Sequence, residues 1–402
     1  MQKEMRMKKK LLSLLAVLLL IASVLGAGGQ SEPGESGGAG VVVDEWEIPF
    51  LNCLTGAIAS IGEYLQWGAE RAAFEINEAG GIAGKPVKVI GVDTALEPQK
   101  GVVEMGKIVE WALVALGPVP EPVIMAAAPI AVENEMMTMT ATTSLEYAEQ
   151  FFPWSISWFP STADRLPPLA REWAKDYGVK EVVQFVGVYG PWPGMAAAHV
   201  DGIKEVGAEH LGDVEVTQDT VTFGPLVVKA LDMKPDGIIL ACWPEKAAKI
   251  IQELKSRGWT DMDKILLFSS ADDAALYTTG GAALNGTIIY NYINVDQDTP
   301  RWNAFKEAYA KDHNGLQPPS LSTNYYDAVY MIKRAIEETG VTGDPKKLAE
   351  ERKKVAEAMR NMKNFEGLLF NWDMSDGIPT NKPTYLFQIQ DGQKKLVKEI
   401  RG

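Results

Sequence analysis

The segment from Leu51 to Pro118 constrains the fold more than any other part of this chain. Its apolar residues recur at helical spacing from Ile61 to Ile76, so one face of a helix is expected to pack on a sheet. Ala79-Gly80-Gly81 ends that helix, because glycine adopts the left-handed cap conformation without a Cβ clash. Residues 87–92 then alternate as a strand does. The segment predicts one βαβ unit, and sheets built from such units bind ligands beyond the carboxyl ends of their strands.

The first 29 residues have the pattern of an export signal rather than of a folded domain. A basic stretch from Lys3 to Lys10 precedes an apolar run of 15 residues, Leu11 to Leu25, and small residues follow. This order is typical of a secretory signal peptide, here residues 1–27, and the run is short for a membrane span. An N-terminal membrane anchor is the alternative. Gly28 stands where a lipoprotein has its cysteine, so a lipid anchor is not supported, and the expected location is periplasmic or otherwise extracytoplasmic.

Charge and length narrow the class of protein further. Residues 28–40 are rich in Gly, Ser, Glu and Pro and predict a disordered leader, so the fold begins near Val41. Removal of residues 1–27 takes away five basic side chains and one acidic one, which moves the net charge from −14 to −18. Such acidity disfavours nucleic acid and anionic membranes as partners. The length favours two domains.

Beyond Pro118 the chain keeps alternating between strand and helix patterns. Helices are predicted at 123–133, 170–177, 195–206, 226–231, 244–257, 300–312, 325–338 and 346–363, and strands at 136–140, 182–188, 214–216, 237–241, 265–268, 286–290 and 384–389. Alternation of this kind predicts parallel sheets that helices cover on both faces. The pattern forms two series, one before and one after the aromatic, proline-rich stretch 151–161.

Three stretches resemble the branched-chain amino-acid (leucine/isoleucine/valine)-binding protein family, type I periplasmic solute-binding proteins of ABC importers. They are Leu54-Thr55-Gly56 with Gly62, the run 75–82 (EINEAGGI), and Gly117-Pro118. The resemblance implies an α/β fold of two doubly wound parallel-sheet lobes joined by a three-crossover hinge near 158–161, 291–294 and 372–382. It places residues 41–158 plus 294–371 in lobe 1 and residues 159–293 plus 372–402 in lobe 2.

The resemblance also implies ligand-binding residues in lobe 1. Backbone and hydroxyl groups of Ala141, Thr142 and Thr143 would hold a ligand carboxylate, since exposed N–H groups and short hydroxyls solvate an anion. An ordinary helix N-cap is the alternative for these threonines. Ile61 falls where a relative carries an aromatic residue near the ligand. Glu121 departs from the family pattern and would repel a carboxylate, or else it simply begins a helix and faces solvent.

In lobe 2, two tryptophans and one aspartate match the family's ligand loops. Trp192 and Trp243 each come shortly after a predicted strand and could form an apolar wall, with core packing as the alternative. Asp272 is the nearest match to the acidic residue that pairs with a ligand ammonium group in the family. The neighbouring Asp273 could instead cap the next helix.

Nothing in the sequence indicates catalysis, a cofactor or a metal. The chain lacks the nucleophile, zinc and phosphate-loop motifs, and the spacing of His199, His210 and His313 suits neither a metal cluster nor a triad. These histidines are expected to be structural or to lie on the surface. The two cysteines, Cys53 and Cys242, are expected to be free and partly buried, although an exported protein could oxidise them.

The sequence therefore predicts a monomeric, non-enzymatic solute-binding protein. It would deliver a small molecule to the permease of an ABC importer: a branched-chain amino acid, or an amide or aromatic or aliphatic relative. Closure of two lobes would shield the ligand from water. A ligand-sensing receptor module of the same fold and an exported α/β enzyme are the alternatives.

Overall fold

A computed structural model of the chain describes residues 41–140, 150–157, 162–188, 192–268, 274–375, 377–379 and 383–400. The first sheet has five parallel strands in the order β2-β1-β3-β4-β5. Its strands are β1 (Trp46–Asn52), β2 (Val87–Asp93), β3 (Val114–Leu116), β4 (Met137–Thr140) and β5 (Ser155–Ser157). The connecting helices are α1 (Ala59–Glu78), α2 (Pro98–Ile108) and α3 (Glu121–Glu133).

The second sheet repeats this arrangement and adds a hairpin. Its strands are β6 (Glu181–Gly187), β7 (Glu209–Val216), β8 (Gly237–Ala241), β9 (Ile265–Leu267), β10 (Ile288–Asn291), β15 (Thr384–Gln390) and β16 (Gln393–Ile400). They lie in the order β16-β15-β10-β9-β8-β6-β7, with only β15 and β16 antiparallel to their neighbours. Its helices are α4 (Thr162–Asp176), α5 (Trp192–Glu205), α6 (Gly224–Asp232), α7 (Pro244–Ser256) and α8 (Ala274–Gly280).

The central strands of both sheets are buried on two faces. Strands such as Ile238–Ala241 are fully buried, as expected when helices cover a parallel sheet from both sides. In each sheet the order in which successive strands are added reverses at one place. It does so between β1 and β3 in the first sheet and between β6 and β8 in the second. Such a switch point opens a crevice at the carboxyl ends of the strands. The predicted α/β fold with two doubly wound lobes is confirmed.

Three further helices follow β10, namely α9 (Pro300–Asp312), α10 (Ser322–Thr339) and α11 (Leu348–Arg360). Helix α10 packs on α1 so tightly that a Cβ on Gly68 would lie 2.0 Å from the carbonyl oxygen of Ser322. The Tyr325 ring also lies 4.3 Å from the Phe50 ring, between centroids. Helix α10 therefore packs with elements of the first sheet, although it follows the second sheet in sequence.

The tail between α11 and β15 forms two short hairpins, β11–β12 (Phe365–Glu366 and Asn371–Trp372) and β13–β14 (Met374–Ser375 and Ile378–Pro379). Asp327 of α10 accepts hydrogen bonds from the Leu368 amide and the Trp372 indole, both at 2.8 Å. The Met374 amide donates to the Met362 carbonyl at 2.8 Å. The predicted crossings at 158–161 and at residues 380–382 lie outside the described residues, and the lobe boundaries stay a prediction.

The sequence pattern located most elements within a few residues. It did not identify α2, α8, β5 or β16, and it began β7 five residues late. It began α4 eight residues late, because Pro167 and Pro168 lie inside that helix. Within the described ranges no helix combines the length and apolarity that a bilayer span requires. The predicted signal peptide and leader fall outside those ranges.

Candidate ligand-binding site

The loop after β1 is organised by a residue that sequence reasoning missed. Asp93, the last residue of β2, accepts hydrogen bonds from the amides of Leu54 and Thr55 at 3.0 and 3.1 Å. The Thr55 hydroxyl donates to the same carboxylate at 2.6 Å, and the Ala95 amide does so at 2.9 Å. Burial would raise the pKa of Asp93, but these hydrogen bonds and the charge of Lys100 outweigh it and lower the pKa to about 2.

Ile61 lies in the first turn of α1, directly after this loop, and is half-buried against the core. The buried Asn52 fixes the start of the helix, since its Nδ2 donates to the Gly62 carbonyl and its Oδ1 accepts from the Cys53 amide, both at 2.8 Å. The loop and Ile61 are thus held at the carboxyl end of β1. A ligand contact for Ile61 stays a prediction.

Glu121 is the first residue of α3 and is half-buried. Its position after β3 places it beside the other strand of the first switch point. A carboxylate in the first turn of a helix interacts favourably with the helix dipole, which agrees with the helix-start interpretation. Whether Glu121 also repels a ligand carboxylate stays a prediction.

Trp192 and Trp243 are brought into contact by the second switch point. Trp192 begins α5 after β6, and Trp243 immediately precedes α7 after β8. Their ring centroids are 4.2 Å apart at an interplanar angle of 58°, and the Phe268 ring packs edge-on to Trp192 at 6.2 Å. Both indoles are half-buried, so they expose part of a continuous aromatic surface.

A fixed lysine borders this aromatic surface. Lys246 Nζ lies 5.7 Å from the centroid of the Trp243 ring and donates to the carbonyls of Gln218 and Thr220, each at 2.8 Å. The lysine therefore places a positive charge over the Trp243 ring. Only its place in the first turn of α7 could have indicated this lysine from the sequence.

Four predicted site residues lie outside the described residues: Ala141, Thr142, Thr143 and Asp272. Their proposed roles with a ligand carboxylate or ammonium group stay predictions. The described neighbours at the ends of the same strands, Thr140 and Phe268, are both fully buried.

The cysteines and histidines have structural surroundings. Cys53 and Cys242 are free, as expected, but they are fully rather than partly buried, and burial raises the pKa of both thiols to about 12. His210 pairs with Asp213 and His313 with Glu63, each at 2.8 Å. His199 is fully buried, and burial lowers its pKa to about 3. Among the described residues no cluster of three or more His, Cys, Asp or Glu side chains could hold a metal ion.

Two doubly wound lobes with side chains gathered at both switch points define the type I binding-protein fold. A sequence profile of the periplasmic binding protein family matches residues 45–394. The chain belongs to that family, which confirms the resemblance, and the family is one of solute-binding proteins rather than enzymes.

Individual relatives agree with this assignment. The Leu/Ile/Val-binding protein homolog 3 of Brucella melitensis is 25% identical over 354 residues, which cover 85% of this chain and 90% of that protein. The leucine-binding protein LivK of Thermotoga maritima has a similar structure, with a TM-score of 0.74, 23% identity, and coverage of 89% of this chain and 99% of that one.

A third relative has been solved with a different kind of ligand. It is a solute-binding protein of an ABC transporter from R. palustris in complex with benzoate. Its TM-score is 0.74 at 18% identity, and the match covers 89% of this chain and 96% of that chain. At this level of identity the likeness concerns the fold alone.

Proposed function

We propose that this protein is an extracytoplasmic solute-binding protein that captures a small molecule with an apolar body and delivers it to the permease of an ABC importer. The observation that carries the proposal is the position of four predicted residues. Ile61 and Glu121 follow the two strands at the first switch point, and Trp192 and Trp243 follow the two strands at the second. In open α/β sheets these are the places where ligands bind.

The aromatic surface favours a ligand with an apolar body. Trp192 and Trp243 offer two adjoining indole faces, which suit an aliphatic or aromatic group. Lys246 adds a positive charge beside them, and this charge suits a carboxylate. Branched-chain amino acids and benzoate-like acids both have this combination, and relatives of the chain are named for or solved with members of each class.

Titration of a ligand panel tests the proposal. The mature protein would be titrated with leucine, isoleucine, valine, benzoate and their amides by calorimetry, with thermal unfolding measured in parallel. At least one compound should raise the melting temperature, because a ligand that binds only the folded state stabilises it. Failure of the whole panel to bind or to raise the melting temperature would contradict the proposal.

Tryptophan variants test the aromatic surface itself. Trp192→Ala and Trp243→Ala should each weaken binding of the best ligand by about tenfold or more, since each removes a buried aromatic contact. Trp111→Ala is the matched control, because Trp111 is 43% exposed and lies three residues beyond the end of α2, away from both switch points. Unchanged affinity in both site variants would contradict the aromatic surface as a ligand contact.

Export, oligomeric state and transport need separate measurements. N-terminal sequencing of the exported protein should show cleavage near Ala27, and ultracentrifugation should show a monomer. The liganded protein should stimulate ATP hydrolysis by the reconstituted importer, and the ligand should be recovered chemically unchanged. Turnover of the ligand would instead favour an exported enzyme.

A further inference from the structure

A cavity of about 330 Å³ is lined by elements that pack with both sheets. Part of its lining is the β15–β16 hairpin, at residues 392–395, and another part is helix α9 with the segment 315–319. Helix α9 packs with the helices of the first sheet, since the Phe305 ring lies 5.1 Å from the Trp67 ring of α1, between centroids. The volume lies in the usual range of small-molecule sites, so a small ligand could contact elements of both sheets at once.

The apolar part of the lining is held in place by hydrogen bonds. The Trp302 side chain is only 2% exposed, and its indole donates to the Val295 carbonyl at 3.1 Å. The Gln297 amide donates to two backbone carbonyls, each at 2.8 Å. Residues 318–319 are buried prolines, whose backbone geometry is restricted. This part of the cavity is therefore formed before a ligand arrives, which lowers the cost of binding.

The charged part of the lining is positive, in a chain whose net charge is −14. Of the described residues that line the cavity, three are lysines and one is an aspartate. The aspartate, Asp296, is turned toward β16: its Oδ1 lies 3.3 Å from Lys395 Nζ, and its Oδ2 accepts from the Leu396 amide at 3.0 Å. The pair of Asp296 and Lys395 is neutral, so Lys306 and Lys394 leave a charge of +2 on the lining. Such a charge attracts anions.

These two lysines are positioned by aromatic rings. Lys306 Nζ lies 5.6 Å from the centroid of the Trp302 ring, and Lys394 Nζ lies 6.0 Å from that of Tyr277. A ring attracts an ammonium group without cancelling its charge. No residue three or four positions from Lys306 on α9 is acidic, and within the described part of the chain Lys306 has no carboxylate partner. Its N–H donors are thus available to an anion from outside the protein.

We propose that this cavity binds a small dicarboxylate. The ammonium groups of Lys306 and Lys394 come from α9 and from β16, so each could bind one carboxylate of the ligand through charge-assisted hydrogen bonds. The side-chain amides of Gln317 and Gln393 also line the cavity and supply further donors. The short hydrocarbon part of the ligand would lie against Val295 and the buried prolines.

This site is separate from the switch point of the second sheet. In the strand order, β15, β10 and β9 lie between β16 and β8. At a spacing of about 4.8 Å between neighbouring strands, β16 and β8 are about 19 Å apart. The two sites share no lining residue among those described, because Trp192 and Trp243 do not line this cavity.

Calorimetric titration of the full mature protein with glutarate tests the proposal. Saturable binding is expected, and a rise in salt concentration should weaken it, since salt screens exposed charges. Butyrate, with one carboxylate, should bind about tenfold more weakly or less. Lys306→Met and Lys394→Met should each weaken glutarate binding by about fivefold or more, because each removes a charged donor. Lys306→Arg, which keeps the charge, should stay within about threefold of the wild type.

Lys311→Met is the matched control, since Lys311 is an exposed lysine of the same helix that does not line the cavity. Its affinity for glutarate should equal that of the wild type, and so should the affinity of Trp192→Ala. Absence of glutarate binding by the wild type, equal affinity of Lys306→Met and Lys311→Met, or loss of glutarate binding in Trp192→Ala would each overturn the proposal. Leucine and benzoate, titrated into protein saturated with glutarate, report the switch-point site independently, so failure of one proposal is distinguishable from failure of the other.

Discussion

At the scale of single residues, Asp93 holds the loop 54–56 in place. Asp93 itself is not predicted to contact a ligand. Four donors from the loop and its surroundings converge on one carboxylate. A carboxylate held by several backbone N–H groups keeps a loop in one conformation and thereby lowers the cost of ordering it on binding. The loop 54–56 would therefore be preorganised before ligand arrives.

Asp93→Asn should loosen this loop. We expect a loss of about 1 kcal/mol in the free energy of unfolding, since solvent screens part of the charge, and a several-fold loss in ligand affinity. The folded pKa of about 2 lies below the ordinary value, so the stabilisation is present at neutral pH and is lost as pH falls from about 4 to 2. Urea unfolding of wild type and Asp93→Asn at pH 7 and pH 3 measures the difference in stability between the two proteins. An equal difference at both pH values would contradict the role of the ionised Asp93 carboxylate.

His199 should make the fold sensitive to mild acid. It is neutral in the folded protein because burial lowers its pKa to about 3, while the unfolded chain takes up the proton near pH 6.5. The unfolded state binds more protons between these values, so stability falls as pH drops below 6.5, by about 2 kcal/mol at pH 5.

Urea unfolding of wild type, His199→Leu and His210→Gln at pH 7.5 and pH 5 checks this expectation. The free energy of unfolding should fall less between pH 7.5 and pH 5 in His199→Leu than in wild type. His210→Gln is the control, because His210 is partly exposed. An identical loss in wild type and His199→Leu would exclude His199 as the cause.

At the scale of elements, helix α11 joins parts of the first lobe through two buried charged residues. Arg352 donates to the carbonyls of Val109, Ala112 and Asn134 at 2.6–3.0 Å, next to the carboxyl ends of α2 and α3. Burial lowers its pKa to about 10, so it remains charged at neutral pH. Its neighbour Glu351 accepts from the amides of Thr342 and Gly343 at 2.8 Å. Helix α11 thus supplies hydrogen-bond partners for backbone groups at the ends of three other segments.

Arg352→Met should destabilise the protein by about 3 kcal/mol or more, because it leaves buried carbonyls at two helix ends without donors. Lys353→Met is the matched control, since the adjacent Lys353 is 58% exposed and pairs with Glu135 only at the surface. Chemical unfolding monitored by circular dichroism compares the two. A similar loss of stability in both variants would contradict the role of Arg352.

At the scale of the whole molecule, the parallel strands of the two sheets follow the same order, and the second sheet adds β15 and β16 beside β10. Asn291 at the end of β10 donates to the Ser320 hydroxyl at 2.7 Å, which ties the second sheet to the start of α10. The predicted three-crossover hinge would let the lobes rotate as bodies.

A bound ligand from the switch-point panel should therefore bring the lobes together. Small-angle X-ray scattering at saturating ligand should show a smaller radius of gyration than in its absence, because closure around ligand is a hinge motion. The Trp192→Ala and Trp243→Ala double variant under the same conditions is the control. An unchanged radius of gyration at proven saturation would count against closure.

The sequence by itself determined the alternation of strands and helices, the βαβ unit at Leu51–Pro118 and the absence of a catalytic motif. It could do so because periodicity and glycine caps are local properties of the chain. It also located Trp192 and Trp243 after strands, but only the tertiary structure brought their rings to 4.2 Å. The convergence on Asp93 and the position of Arg352 were decided by tertiary structure too. Each joins segments far apart in sequence, and no local pattern of residues specifies which distant backbone groups will need a partner.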